Sequence, residues 1–397
     1  MTVSRATAST SARALARTLT PLALSAILLV TLTGTSCGTT PFVKSFPAET
    51  RKQMEQVVDA KVDAYHLPGI VVGVWVPGRG TWIIARGKAD LETGKKLKST
   101  MKFRITGTTK PFTSTLLVML DDEGKLSLDD KLSMYFPEVP GSKNISIRRL
   151  LNHTSGLFDY EEDDTFDRTV RTKPLTGWTP EQLVGIGISH PPYFSPGAGF
   201  HYSNTNYILA GLIAEKVTGN TAVREMNKRM FNELGLQDTS LPDGPDIVGD
   251  YSHGYYNDFS SGALVDITNT DQSSYWTAGA IISSLEDLHV WSKALADGQL
   301  LSSKGHDEQM TFVTVPGGEA HGEMYGLGVS DLKGWLGHNG ANYGYNSAMY
   351  HLPSKDATII VLANKFPPAL KDPVAYAREI FADLANILFP GTGFPNE

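Results

Sequence analysis

The sequence predicts an α/β protein: an antiparallel sheet built from both chain ends and flanked by helices, plus a mostly helical lobe. Three observations predict it. β-rich runs separated by turn residues lie near each end of the chain. The stretch between them carries apolar residues at helical spacing. An amphipathic segment follows the last strand run.

Taken in order, residues 1–37 read as an export signal rather than as part of the fold. Arg5, Arg13 and Arg17 precede the apolar run Leu22 to Val30, and no acidic residue occurs before Glu49. The run is short for a membrane span, which favours an export signal over a retained anchor. Cys37, the one cysteine of the chain, follows the run at a place that fits lipoprotein processing, with Ser36 and Thr35 suiting such a site and Gly34 departing from the usual Leu. The expected location is therefore extracellular or cell-envelope, with lipidation of Cys37 left open. Residues 38–50 read as a tether, and 51–397 as the folded domain.

Within that domain, Met54 to Ala64 has a helical apolar pattern. Ile70 to Val76 and Thr81 to Ala85 are strand-like runs joined by Pro77-Gly78-Arg79-Gly80, a hairpin signal. Thr113 to Asp122 places Leu116, Leu117, Met119 and Leu120 at helical spacing, with Gly124 as a stop. Tyr207 to Val217 repeats the pattern with Ile208 and Leu212 before Gly219. Asn346 to His351 and Ala357 to Ala363 form a second hairpin about Pro353-Ser354-Lys355-Asp356, and a helix from about Pro373 to Leu388 follows. An α/β lobe of about 51–105 and 285–397 and a helical lobe of about 106–284 result, with a cleft between them as the natural place for a site.

Composition excludes several classes. At 41% hydrophobic, the chain can bury a sizeable core, and general disorder is ruled out. Loss of the leader would take three arginines and no acid, moving the net charge from −7 to −10. Such a surface argues against nucleic acid and against electrostatic membrane binding. No His-x-x-x-His pair, carboxylate cluster at ligand spacing or Gly-rich phosphate loop is present, so neither metal nor cofactor is expected. The expected partner is a small molecule or peptide, and a lipid on Cys37 would be the one link to a membrane.

Three segments carry chemistry. In Thr106-Gly107-Thr108-Thr109-Lys110-Pro111, Pro111 suits the first turn of a helix, and Lys110 lies one turn on from residue 107, on the same face. A buried lysine there either loses its proton and acts as a base, or keeps it and polarises a neighbour. In Tyr202-Ser203-Asn204, Ser203 or Asn204 caps the next helix. Tyr202 projects a phenol whose pKa a cationic lysine would lower, and Asn204 offers an amide donor and acceptor to a ligand. In His338-Asn339-Gly340, on an expected strand after Trp335, Gly340 allows a ligand close to the backbone. Each alone also fits a solvated lysine, a capped helix or a surface turn.

Their order and spacing together resemble the serine β-lactamase and DD-peptidase superfamily, on the branch of class C β-lactamases, DD-carboxypeptidases and related esterases. Asp122-Glu123-Gly124-Lys125-Leu126, Leu151 to Leu157, Ala278-Gly279 with Ser283-Ser284, and Tyr325 to Gly328 extend the likeness over roughly residues 50–390. The resemblance implies a β-lactamase/transpeptidase-like fold and hydrolysis of an amide or ester through an acyl-enzyme. It makes Lys110 the motif lysine and Tyr202 the proton-shuttling tyrosine. It assigns Asn204, His338, Asn339, Gly340 and Ala341 to substrate binding, with the backbone N–H groups of Gly107 and Ala341 as the oxyanion hole.

The chain departs from the family pattern at three places. Gly107 stands where the family has its nucleophilic serine, and Thr106, Thr108 and Thr109 are expected to point elsewhere. The literal Ser99-Thr100-Met101-Lys102 is a decoy, since Phe103-Arg104-Ile105 reads as a strand and no helix starts at Ser99. Asn339 replaces the family's Thr, and Val329 to Lys333 holds no Arg for a substrate carboxylate, leaving Lys333 as the nearest cation. His338 replaces the β-lactamase Lys, which tilts the comparison toward peptidases and esterases. Three readings stay open: an exported binding protein for cell-wall peptide or a similar ligand, a hydrolase that uses water in place of the serine, and a variant of an active serine enzyme.

Overall fold

Strand β1 (Gly69–Val76) is apolar along its whole length because it is covered on both faces. Ile70, Val72, Val74 and Val76 enter one core, and Val71 and Trp75 enter the other, as the two-residue strand period requires. The computed structural model describes residues 45–392, apart from 243, 259–260, 319–321, 343 and 367–374. The expected leader and most of the tether lie outside the described residues.

β1 and β2 (Gly80–Gly87) form the expected hairpin, closed by Arg79 N–H donating to Val76 O at 3.0 Å. The sheet continues with β3 (Val313–Thr314), β4 (Glu323–Tyr325), β5 (Ser330–Leu332), β6 (Trp335–Asn342), β7 (Tyr345–Leu352) and β8 (Ala357–Ala363). Its eight strands run in the order β2-β1-β8-β7-β6-β5-β4-β3. All paired neighbours in this sheet are antiparallel, and Ile70 faces Ala363, so strands from the two chain ends pair side by side, second and third in the order. The three short strands β3 to β5 had no clear sequence signal.

Helix α1 (Ala48–Tyr65) starts earlier than its apolar pattern suggests and takes in the end of the expected tether, with Pro47 at its N-cap. It packs with the C-terminal helix Ala375–Leu388 over one sheet face, through Met54, Val58, Tyr376, Ile380 and Leu384. Helix α2 (Lys110–Asp122) follows a 3-10 turn, Thr106–Thr109, and carries Pro111 in its first turn as expected. Gly124 takes a left-handed φ of 68° just beyond it. Helix α3 (Asn204–Thr218) ends on Gly219 at φ 68°. Ser203 holds its N-cap position but does not cap it: its hydroxyl donates to Phe158 O at 3.2 Å. Helix α4 (Leu285–Ala296) is capped by Ser284, which accepts from Asp287 N, and lies against the other sheet face.

The expected lobes are parts of one compact unit. The region 106–284 is mostly helical but includes a ribbon, Tyr255–Asn257 with Leu264–Asp266, and a strand that pairs Ile282–Ser283 with Phe103–Arg104.

Candidate active site

The 3-10 turn, α2, α3 and β6 converge on a cavity of about 760 Å³. The catalytic and substrate-binding candidates expected from the sequence lie on its wall: Gly107, Lys110, Tyr202, Asn204, His338, Asn339, Gly340 and Ala341. The sequence segments are far apart, so the sheet and helix packing alone bring them together.

Lys110 opens α2 and is 1% exposed. Its Nζ donates to Asn204 Oδ1 at 2.6 Å and to Ala278 O at 2.9 Å. It also stands 4.7 Å from the ring centroid of Tyr202 and 5.4 Å from that of Tyr207. Burial pulls the ammonium below the ordinary lysine range, while Glu161 and Asp159 oppose that shift.

Tyr202 corrects an expectation. Its pKa is not lowered by Lys110 but raised well above the ordinary phenol value, first by burial and then by Tyr207, Glu161 and Asp159. The ammonium lies over the ring, and desolvation of the would-be phenolate outweighs it. Tyr202 is therefore a neutral hydroxyl donor.

Asn204 lies on the cavity wall and is also tied to the protein. Its Oδ1 accepts from Lys110, and its Nδ2 donates to the Asp159 carboxylate at 3.0 and 3.3 Å. Each end of the amide has a protein partner, and its oxygen and NH₂ each keep one further hydrogen-bonding position.

Gly107 and β6 are in close contact. A Cβ placed on Gly107 would lie 2.9 Å from Asn339 O, 3.3 Å from Gly340 Cα and 3.4 Å from Tyr202 Oη. A Cβ on Gly340 would lie 2.0 Å from Thr106 Oγ1 and 2.4 Å from Gly107 N, so that strand position needs glycine. The neighbouring threonines point away, as expected. Thr108 Oγ1 pairs with Ser347 Oγ at 2.9 Å, Thr109 Oγ1 accepts from Ile281 N at 3.1 Å, and Thr106 is buried against Gly340. Ser99 lies in a turn and Lys102 pairs with Asp238 at 3.2 Å, outside the cavity.

On β6, His338 Nδ1 lies against Asn339 O, so it carries the proton, and Nε2 accepts from Tyr325 Oη at 2.9 Å. Burial, with Lys110 nearby, brings its pKa down to about 3. Tyr350 Oη donates to Asn339 Oδ1 at 3.0 Å, and Asn346 Nδ2 donates to Gly340 O at 3.0 Å. His153 sits behind Tyr202, ring centroids 4.3 Å apart. Its Nδ1 accepts from Ser203 N and Asn206 Nδ2, and burial holds it neutral.

Sequence reasoning missed the acidic wall. Asp159, Glu161, Glu162, Asp164 and Asp167 all line the cavity. The signal was the run Asp159-Tyr160-Glu161-Glu162-Asp163-Asp164, which resembles a solvated face. Asp159 is only 6% exposed, and burial raises its carboxyl above the usual range. Burial, then Asp159, raise that of Glu161 as well. Arg378, from the C-terminal helix, also lines the wall and donates to Glu323 at 2.6 Å. Lys333 instead occupies an exposed turn at φ 55°.

Comparison with known proteins agrees with this architecture. The Beta-lactamase family model matches residues 54–383. Penicillin-binding protein 4* of Bacillus subtilis (strain 168) is 27% identical over 76% of this chain and 68% of its own length. Protein flp of Staphylococcus aureus (strain MRSA252) is 24% identical over 80% of this chain, which spans 63% of flp. Among solved structures, a D-stereospecific amidohydrolase from Streptomyces sp. is similar with a TM-score of 0.75 and 29% identity, over 83% of this chain and 97% of that one. The D-amino acid amidase from Ochrobactrum anthropi SV3, in complex with L-phenylalanine amide, has a TM-score of 0.75 and 25% identity, over 86% and 99% of the two chains. With its antiparallel sheet, its flanking helices and a family match spanning most of its length, this chain belongs to the Beta-lactamase family.

Proposed function

We propose that this protein holds a small amide- or ester-bearing ligand in the cavity without forming an acyl-enzyme. The observation that carries this reading is the contact between Gly107 and β6. Position 107 corresponds to the family's nucleophile, has no hydroxyl, and has Asn339 O 2.9 Å from where a Cβ would be. Lys110 is then not paired with a serine. Held by Asn204 Oδ1 and Ala278 O, it serves as a cationic donor. The backbone N–H groups of Gly107 and Ala341 serve a ligand carbonyl, an arrangement that outlasts the loss of a nucleophile.

The ligand class follows from the wall. Six carboxylates, Glu323 beside Arg378 among them, against the two cations Lys110 and Arg378 favour a ligand carrying a cationic amine. The similarity to a D-amino acid amidase and a D-stereospecific amidohydrolase supports an amino-acid or peptide amide, including cell-wall peptide, with D configuration at the residue that enters. An envelope location, with Cys37 lipidated after export, suits such a ligand, and the intact mass of the mature N-terminus tests it.

Calorimetry with D-phenylalanine amide, its N-acetyl derivative and L-phenylalanine amide tests the main reading. Saturable binding of the free D-amine with no release of product supports it. Turnover that disappears in Tyr202→Phe would instead assign attack to a water molecule and would overturn it.

A further inference from the structure

We propose that Asp159 is a positioning residue for Lys110 that acts through Asn204, fixing which way the Asn204 amide faces so that Lys110 stays a charged donor. The inference rests on the ligand-binding reading for its use, but its geometry belongs to the ligand-free protein.

An amide has one accepting end and one donating end. A carboxylate only accepts and an ammonium only donates. Asn204 lies between one of each: Asp159 oxygens at 3.0 and 3.3 Å from Nδ2, and Lys110 Nζ at 2.6 Å from Oδ1. Turning the amide over would set NH₂ against NH₃⁺ and C=O against COO⁻, losing both bonds in a site where Asn204 is 7% exposed. Asp159 is itself fixed, since its Oδ1 also accepts from Glu161 N at 3.2 Å. The turn Tyr160–Glu162 thereby sets the polarity of a bridge that ends on the lysine.

Among the described residues, the other groups facing Lys110 are few. Glu161 faces it from the same turn as Asp159, Tyr207 from α3, Tyr202 from the segment before α3, and Ala278 O from the short helix Trp276–Gly279. His153 and His338 also lie within its field and are neutral. Asp159 thus acts on the lysine in two separable ways, through space and through the amide.

A double-mutant cycle on the ligand-free, full-length protein separates them. The Lys110 titration is followed by its ¹³Cε shift in lysine-labelled protein, assigned with Lys110→Arg. Asp159→Asn removes the charge and preserves the shape, and it is predicted to lower the Lys110 midpoint by about one pH unit. In the Asn204→Ala background the same change is predicted to move it less than half as far. Equal shifts in the two backgrounds, or no shift in either, would overturn the proposal.

The wild type supplies a second readout that needs no substitution. The Asn204 side-chain NH₂ protons are predicted to exchange slowly with solvent and to shift as Asp159 titrates. Free exchange with no such shift would overturn the proposal too. Failure of D-phenylalanine amide to bind would remove the ligand reading and leave the cycle intact, so the two failures are distinguishable.

Discussion

Gly107 and Asn339 approach so closely that a Cβ on the glycine would lie 2.9 Å from the asparagine's carbonyl oxygen. The obstacle is strand backbone rather than the end of a flexible side chain, so β6 itself must move to admit any side chain at 107. Gly107→Ala is therefore predicted to lower stability. Overpacking costs about 1–3 kcal/mol, which exceeds the gain of about 0.4–1 kcal/mol from a stiffer unfolded chain. Gly107→Ser adds the same Cβ and is predicted to show a similar loss. Denaturant titration of the three proteins decides it, and equal stability would mean that β6 recedes freely.

Glu161 is predicted to discriminate ligands by their amine. At a pH where the Glu161 carboxyl is ionised, Glu161→Gln should weaken D-phenylalanine amide by about tenfold, as expected for loss of a charge-assisted bond, and leave the N-acetyl derivative unchanged. Because burial and Asp159 raise this carboxyl, it takes up its proton at a higher pH than an exposed glutamate. Affinity for the free amine should accordingly fall on acidification before the ordinary carboxylate range is reached. Calorimetry across pH reads both effects.

Tyr202 contributes a hydroxyl rather than a titrating phenol. Tyr202→Phe keeps the ring under Lys110 and removes one donor, which predicts a loss of affinity of about two- to tenfold. The affinity–pH profile of the variant should keep the wild-type shape. A changed profile would mean that the phenol does titrate.

His338 makes the fold sensitive to acid. An unfolded histidine titrates near about 6.5, whereas the folded residue takes its proton only near about 3. Between these values the unfolded chain binds the extra proton, so stability falls as the pH falls through that window, by up to about 1.4 kcal/mol per pH unit for this one group. His153, held neutral in the same way, adds to the slope. His338→Gln is predicted to flatten the dependence by about one proton, measured by denaturation at a series of pH values.

Much of this was legible in the sequence, for local reasons. The two hairpins announce themselves through Pro77-Gly78-Arg79-Gly80 and Pro353-Ser354-Lys355-Asp356, and Gly124 and Gly219 mark helix ends at positive φ. The three motif segments came together as their order implied. Long-range effects were not legible. Asp159 looks solvated in an acidic run, and only tertiary packing buries it against Asn204. The direction of the Tyr202 shift depends on desolvation outweighing one cation, which no spacing rule reveals. The early start of α1 at Ala48 was hidden because its first residues are mostly exposed and polar.

The central claim is that a ligand occupies the cavity without becoming attached to the protein. Intact-protein mass after incubation with a p-nitrophenyl ester or a fluorescent penicillin tests it most directly. The account predicts an unchanged mass for the native chain. An acyl adduct on the native protein would show that one of its own groups attacks the carbonyl, and would contradict it.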